Sequence, residues 1–233
     1  MKTKSSLSFL LLLVAYLVGS SVFCSCSEEV HDYVDLGLPS GTLWATCNVG
    51  ANSPEEYGNY FAWGETEPKN DYSWSTYKYC KGSSTTMTKY CTDSYYGTVD
   101  NKTELEPSDD AATANWGSGW QMPSFEQCRE LYNSSYTTTT WTTMNGKYGR
   151  KITSKSNGNS IFLPAAGYRF GTSPSSPCYA GSCGYYWSRS LYTSNSGAAC
   201  GLYFDSSDIY TGGYYRYFGD SVRPGRVLKD KFI

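Results

Sequence analysis

Trp120-Gln-Met-Pro-Ser-Phe-Glu-Gln-Cys-Arg-Glu-Leu-Tyr132 is the stretch on which the fold turns. Ser124 and Gln127 stand three apart. At that spacing a hydroxyl and a side-chain amide satisfy each other's free backbone N–H groups at a helix start. Pro123 keeps its predecessor out of helical geometry and sharpens the boundary. Phe125, Cys128, Leu131 and Tyr132 then share one face, which predicts a helix over 124–133. A second, two-turn helix is expected over 108–116, where Ser108 offers a cap and Asp109 and Asp110 precede alanines.

Outward from these helices the chain reads as strand and turn. Segments 33–38 and 42–49 flank a Pro39-Ser-Gly41 turn, and Tyr60-Phe-Ala-Trp-Gly64 is a short apolar run. Segments 141–144, 148–154, 160–164, 201–204, 209–211 and 221–228 carry β-formers at hairpin spacing. The polar, tyrosine-rich stretch 69–100 reads as long loops. One or two helices among many short strands predict an α+β fold, a single domain of small antiparallel sheets over 33–233.

Composition narrows the function. Charged residues make up 17%, and 19 Lys+Arg against 21 Asp+Glu give a net charge of −2, which argues against a nucleic-acid binder. A single His, His31, disfavours His-based catalysis and metal binding. No Ser-His-Asp or Cys-His set and no phosphate-cradling loop is readable, so no catalytic residue, cofactor or metal site is assigned. Adjacent acids such as Glu55-Glu56 and Asp109-Asp110 select no glycosidase pair. Tyr 23, Trp 7, Phe 9 and Gly 23 are instead the palette of β-structure and adaptable binding surfaces.

The N-terminus carries an export pattern. A basic Met1-Lys-Thr-Lys4 precedes an apolar run over 7–18 broken only by Ser8, then Gly19-Ser-Ser21. This is a secretory signal, 1–25, too short for a good membrane span. Cys26 follows Ser25, the small residue a lipoprotein signal peptidase requires, whereas Cys24 follows Phe23. Lipidation of Cys26 is therefore expected, with 26–32 as a tether; ordinary cleavage nearby is the alternative. Ser27-Glu-Glu29 resembles the surface-export signal of Bacteroidetes lipoproteins, which implies anchoring in the outer membrane, facing outward. Seven further cysteines are too many by one for complete pairing. Cys80 with Cys91, and Cys178 with Cys183, are spaced to close small disulfide loops in an exported chain.

Several longer motifs stand in order: Val34-Asp-Leu-Gly-Leu-Pro-Ser-Gly-Thr-Leu-Trp-Ala-Thr-Cys-Asn-Val-Gly-Ala51, Tyr57-Gly-Asn-Tyr-Phe-Ala-Trp-Gly-Glu-Thr66, Ala114-Asn-Trp-Gly-Ser-Gly-Trp-Gln-Met-Pro-Ser124, Phe162-Leu-Pro-Ala-Ala-Gly-Tyr-Arg169, Gly184-Tyr-Tyr-Trp-Ser188 and Ser221-Val-Arg-Pro224. Together they resemble the Fibrobacter succinogenes major paralogous domain family of gut Bacteroidetes lipoproteins. The resemblance implies a C-type-lectin-like fold, in the branch shared with formylglycine-generating enzymes. Gln121 stands where that branch has Arg, and Gly225 where the family has Val. Trp120 and Trp187 read as buried anchors, and Arg223 and Arg226 as braces of the last strand. Cys178 and Cys183 invite comparison with the catalytic thiols of the relatives but lack an arginine-rich setting. Glu106-Pro-Ser108 looks like a lectin calcium motif, yet it precedes the helix and is read as coincidence.

The sharpest functional signal is 188–221. It holds Tyr192, Tyr203, Tyr210, Tyr214, Tyr215 and Tyr217 among small residues, with no Lys, Glu, Gln, Met, Trp or His. Such restriction resembles the variable regions written by diversity-generating retroelements, and the palette is that of a paratope. The candidate ligand-binding residues are Tyr203, Asp205, Asp208, Tyr210, Tyr214, Tyr215, Phe218 and Asp220, with Tyr185 and Arg189 nearby, about half of them exposed on one surface. The expected partner is a protein or glycan met at the cell surface. The alternatives are a structural envelope component and an enzyme related to the formylglycine generators or active on glycans.

Overall fold

The computed structural model describes residues 31–172 and 177–227; the signal segment and Cys26 lie outside them. Strand β1 (Tyr33–Asp35) returns as β2 (Thr42–Ala45) through a turn closed by Gly41 N–H on the Leu38 carbonyl. Gly41 sits at φ +65°, a conformation that glycine adopts without strain. Then follow β3 (Tyr60–Phe61), α1 (Ala111–Trp116), α2 (Phe125–Glu130), β4 (Thr137–Met144), β5 (Lys147–Ser154), β6 (Ser160–Pro164), β7 (Gly184–Leu191), β8 (Ala198–Phe204), β9 (Ile209–Tyr215), β10 (Asp220–Ser221) and β11 (Gly225–Val227). Strands dominate and the two helices are short, so the fold is α+β.

Among the described residues three sheets form, in the orders β1-β2-β11, β3-β10-β7-β8-β9 and β4-β5-β6. Pairing is antiparallel except between β10 and β7. The β4–β5 hairpin turns on Asn145-Gly146, both at positive φ, which matches the twist of the flanking strands.

The helix at 124 starts as read. Ser124 Oγ accepts from Gln127 N–H and the Gln127 side chain accepts from Ser124 N–H. The α-helix ends at Glu130, short of Asn133, because Leu131, Tyr132 and Asn133 close tighter three-residue turns. The earlier helix starts later than expected. Pro107–Asp109 forms a single 3-10 turn, and Asp110, not Ser108, caps α1 by accepting from Thr113 N–H.

Two aromatic cores meet across β7. Trp187 belongs to one, with Trp63, Phe61, Tyr77 and Tyr90; Tyr186 belongs to the other, with Trp44, Leu202 and Phe204. Trp120 and Trp187 are both buried. The indole N–H of Trp63 donates to the Ser188 carbonyl and that of Trp187 to the Phe61 carbonyl, so β3 and β7 are cross-stitched. Arg223 is buried deeper than an edge brace. It donates to Asn48 Oδ1 and to the carbonyls of Ala45, Thr46 and Phe162, tying the sheets together. Arg226 lies over the rings of Tyr33 and Trp120.

The loops of 69–100 lack long strands, as read, yet they are not peripheral. Tyr72, Tyr77, Tyr79, Met87, Tyr90 and Cys91 are buried in the first core. The tyrosines Tyr72, Tyr77 and Tyr90 bury their hydroxyls on the Tyr60 carbonyl, the Trp63 carbonyl and the Asp109 carboxylate.

Candidate functional site: an aromatic array on the C-terminal sheet

On β7, β8 and β9 the register sets Tyr185 opposite Tyr203 and Tyr203 opposite Tyr210. Opposed residues of antiparallel strands share a face, so these three rings line up across the sheet. Their centroids are 5.0 Å and 4.9 Å apart. Tyr214, two pairs further along the same face, closes on Tyr185 at 5.4 Å. Glycines make that possible. A Cβ on Gly201 would stand 3.1 Å from the Tyr214 ring, and one on Gly212 would stand 3.3 Å from its hydroxyl.

The row continues beyond the sheet. Tyr185 contacts Tyr168, Tyr168 contacts Phe218, Phe218 contacts Tyr217, and Tyr217 stacks on Tyr215, which reaches Trp74. Phe170 joins at Phe218 and Tyr179 stacks on Tyr168. The array is thus continuous from Trp74 to Tyr210, and offset or edge contacts of this kind add to area burial in holding rings in place. Phe170 is 52% exposed, Tyr179 63%, Tyr210 47% and Tyr215 47%, so its rim faces solvent while its middle is half-buried.

Of the ten candidates, the structure brings together Tyr185, Tyr203, Tyr210, Tyr214, Tyr215 and Phe218. Asp205 joins through its side chain, which accepts from the Tyr203 hydroxyl at 2.8 Å and from the Ser207 and Asp208 N–H groups. Those bonds, the Asp208 N–H first, hold its carboxyl below the usual range. Burial pushes the Tyr203 phenol up, so it stays a donor. Asp208 is exposed at the same turn, where its carbonyl and that of Asp205 receive Arg150. Arg189 stands apart, bonded to Glu104.

Asp220 corrects the expectation of an exposed acid. It is buried, its backbone pairs with Phe61, and both carboxyl oxygens lack a hydrogen bond. Burial raises its pKa well above the ordinary value. Its field acts on Tyr168, Tyr185 and Tyr214, so the acid sits behind the array, not on it. Strand β10 pairs with β3 on one edge and β7 on the other, and both of its residues are buried.

Neither disulfide read from spacing is formed: Cys47, Cys80, Cys91, Cys128, Cys178, Cys183 and Cys200 are all free thiols. Cys80 Sγ turns to the Trp74 carbonyl and Cys91 Sγ to the Asp93 carbonyl. Cys183 Sγ lies 3.5 Å from the Tyr203 hydroxyl, while Cys178 is exposed.

Trp74, Tyr168, Phe170, Tyr179 and Tyr217 are array members absent from the sequence-based candidates. Only the alternation of Tyr168 and Phe170 around Arg169 hinted at them; the joining of distant loops leaves no local pattern.

No family model, no curated protein and no solved structure matches the chain. Functional inference therefore rests on the residues themselves. Among the described residues no helix is long and apolar enough to cross a membrane, and no group of three or more His, Cys, Asp or Glu residues is placed to hold a metal ion.

Proposed function

We propose that this chain is a surface-tethered ligand-binding module whose aromatic C-terminal array takes a protein or glycan. The observation that carries the reading is the continuity of the array, with four of its rings at the rim near half-exposed or more. Exposed aromatic patches of this kind mark interaction sites. Rigid tyrosines lose little entropy on contact, and their flat faces suit both sugar rings and apolar side chains. The thiol pair fits an enzyme less well: Cys178 is exposed, and Cys183 lies beside the Tyr203 hydroxyl, which already donates to Asp205.

The test begins with ligand discovery on glycan and protein arrays. The combined change Phe170→Ala, Tyr179→Ala, Tyr210→Ala and Tyr215→Ala is expected to weaken capture at least tenfold, about 1.4 kcal/mol. The melting temperature should stay close to that of the parent, since these side chains are exposed. Undiminished capture by the folded variant would overturn the reading.

Tethering rests on Cys26 and is tested separately. Cys26→Ser is expected to move the protein from the membrane fraction to the soluble fraction on cell fractionation. Equal membrane retention of the variant would refute lipidation at that residue.

A further inference from the structure

The aromatic array ends on an open strand. Among the described residues β9 is the last strand of its sheet, with β8 on one side and no strand on the other. We propose that this edge takes an extended, basic segment of a partner protein as a further antiparallel strand, with arginine or lysine side chains laid on the array. The inference rests on the reading of the array as the binding face.

The backbone decides which groups are on offer. Residues of an antiparallel strand turn their N–H and C=O groups toward and away from the neighbour alternately. At the turn the Asp205 N–H donates to the Asp208 carbonyl, so Tyr210, Gly212 and Tyr214 turn to β8 while Thr211, Gly213 and Tyr215 turn outward. The Thr211 N–H has that phase: it donates to the Tyr132 hydroxyl, outside the sheet. The Tyr215 carbonyl accepts from Phe218 N–H. The Thr211 carbonyl, both groups of Gly213 and the Tyr215 N–H have no such partner among the described residues. A strand opposite Gly213 can exchange two bonds with it and make one each with Thr211 and Tyr215. Strand β9 contains no Lys and no Pro, and its register with β8 runs without a bulge, so the usual guards of an edge are missing. Added strands take affinity from such main-chain bonds and specificity from side chains.

Charge selects the occupant. The Asp205 carboxylate lies on the array face, bonded to Tyr203, and the exposed Asp208 carboxylate beside it enters no hydrogen bond or ion pair among the described residues. Arg150 offsets one of these two charges from beneath, but it is buried and its donors are spent on the Asp205 and Asp208 carbonyls and on Thr139. Arg189 is bonded to Glu104, Arg216 is buried, and Asp220 is buried and neutral. Arg169 turns to the Tyr60 ring. At the Trp74 end Lys69 pairs with Glu65, while Glu67 and Asp71 lie in the same loop. The exposed charge at the β9 end is therefore acidic, as is the chain as a whole at −2.

The rings agree. Trp63, Tyr72, Tyr77 and Tyr90 of the adjoining core each carry a cation of the chain, whereas among the described residues no ring of the array does. Open ring faces beside carboxylates suit a guanidinium or an ammonium. A second copy of the chain fits less well, since its own β9 brings no cation.

The test titrates the purified protein with a blocked peptide of alternating Arg and Thr, followed by NMR shifts of the Gly213 and Tyr215 amides. A Cβ on Gly213 would point at Tyr192, away from the array, so a partner residue bonded to Gly213 has its side chain off the array too. With Arg on the array, the Thr amides therefore face β9. Methylating the Thr amide nitrogens is expected to weaken binding at least tenfold, and methylating the Arg amide nitrogens by much less. Replacing Arg by Glu in the peptide should also weaken it at least tenfold. Asp208→Asn, whose side chain holds nothing in the fold, should weaken the Arg peptide and flatten its salt dependence. Equal loss from both methylations, equal binding of the Glu peptide, unchanged binding in Asp208→Asn, or no saturable binding of the Arg peptide would each overturn the proposal. Self-association through β9 without peptide would give the edge to a second copy and overturn it as well. A glycan captured by the parent and lost by the four-ring variant, with no binding of the Arg peptide, would overturn this inference alone and leave the array as the binding face.

Discussion

Arg216→Ala is expected to lower stability by about 3–5 kcal/mol, the largest effect of any single change considered, through orphaned acceptors and a new cavity. The side chain is fully buried. Its Nε donates to the Tyr77 hydroxyl, and its terminal nitrogens donate to the carbonyls of Tyr90, Ser196 and Lys89. The guanidinium also lies 4.8 Å from the Trp63 ring centroid and 5.2 Å from that of Tyr77. One residue thus pins the 77–90 loops against the segment that follows β9, directly under the array. Lysine cannot span these partners, so Arg216→Lys should recover little. Thermal denaturation checks this: a domain of this size loses roughly 2–4 °C per kcal/mol, so the midpoint should fall by roughly 10 °C. A shift within about 2 °C would show that the buried guanidinium is not holding the loops.

Asp220→Asn is expected to act in the opposite direction and only above acidic pH. Burial raises the folded-state pKa of Asp220 above its unfolded value. Below the unfolded pKa, near 3.9, both states carry the proton and the residue costs no ionisation penalty. As pH rises toward the folded pKa, the unfolded chain ionises while the folded one retains its proton, and stability is lost. Asparagine has the same shape and no charge to bury. The variant should be more stable at pH 7 by about 1.4 kcal/mol for each unit by which the folded-state pKa exceeds the unfolded one, since asparagine removes the ionisation that favours the unfolded chain. The advantage should vanish near pH 3. Melting curves across that range check the prediction; an equal gap at both ends, or a loss at pH 7, would contradict it.

Features set by short-range chemistry were legible in the sequence. The Ser124–Gln127 capping box is a contact between residues three apart, so it was readable before any tertiary context. The β-forming segments 141–144 and 148–154, at hairpin spacing, are local in the same sense. Strand β7 was not legible as a strand: Gly184-Tyr-Tyr-Trp-Ser-Arg-Ser-Leu191 sits mid-sheet with both faces covered, so no polar-apolar alternation survives. The tyrosines of 69–100 read as loop surface because Tyr is amphipathic. Their burial depends on finding carbonyl and carboxylate acceptors from distant segments, which sequence does not display.

The candidate site divides along the same line. Tyr203 and Tyr210 fall in segments read as strands at hairpin spacing, but their pairing, and that of Tyr185 with Tyr203, is fixed by the register of β7, β8 and β9. Asp220 was misplaced because a carboxylate reads as solvent-facing by default. Its position on the two-residue strand β10, between β3 and β7, is set by a parallel pairing that only the whole fold specifies. Phe170 and Tyr179 come from a separate loop and reach the array by tertiary contact alone.

Radical footprinting of the protein, free and bound to a ligand captured on the arrays, tests most directly whether the aromatic array is the binding face. The exposed aromatics form an internal control. Tyr33 is 49% exposed, Tyr95 70% and Tyr148 51%, and none of them contacts the array. Protection concentrated at Phe170, Tyr179, Tyr210 and Tyr215, with Tyr33, Tyr95 and Tyr148 labelled as before, is the expected result. Protection at Tyr33, Tyr95 or Tyr148 with the four array rings unchanged would place the ligand elsewhere and contradict the assignment.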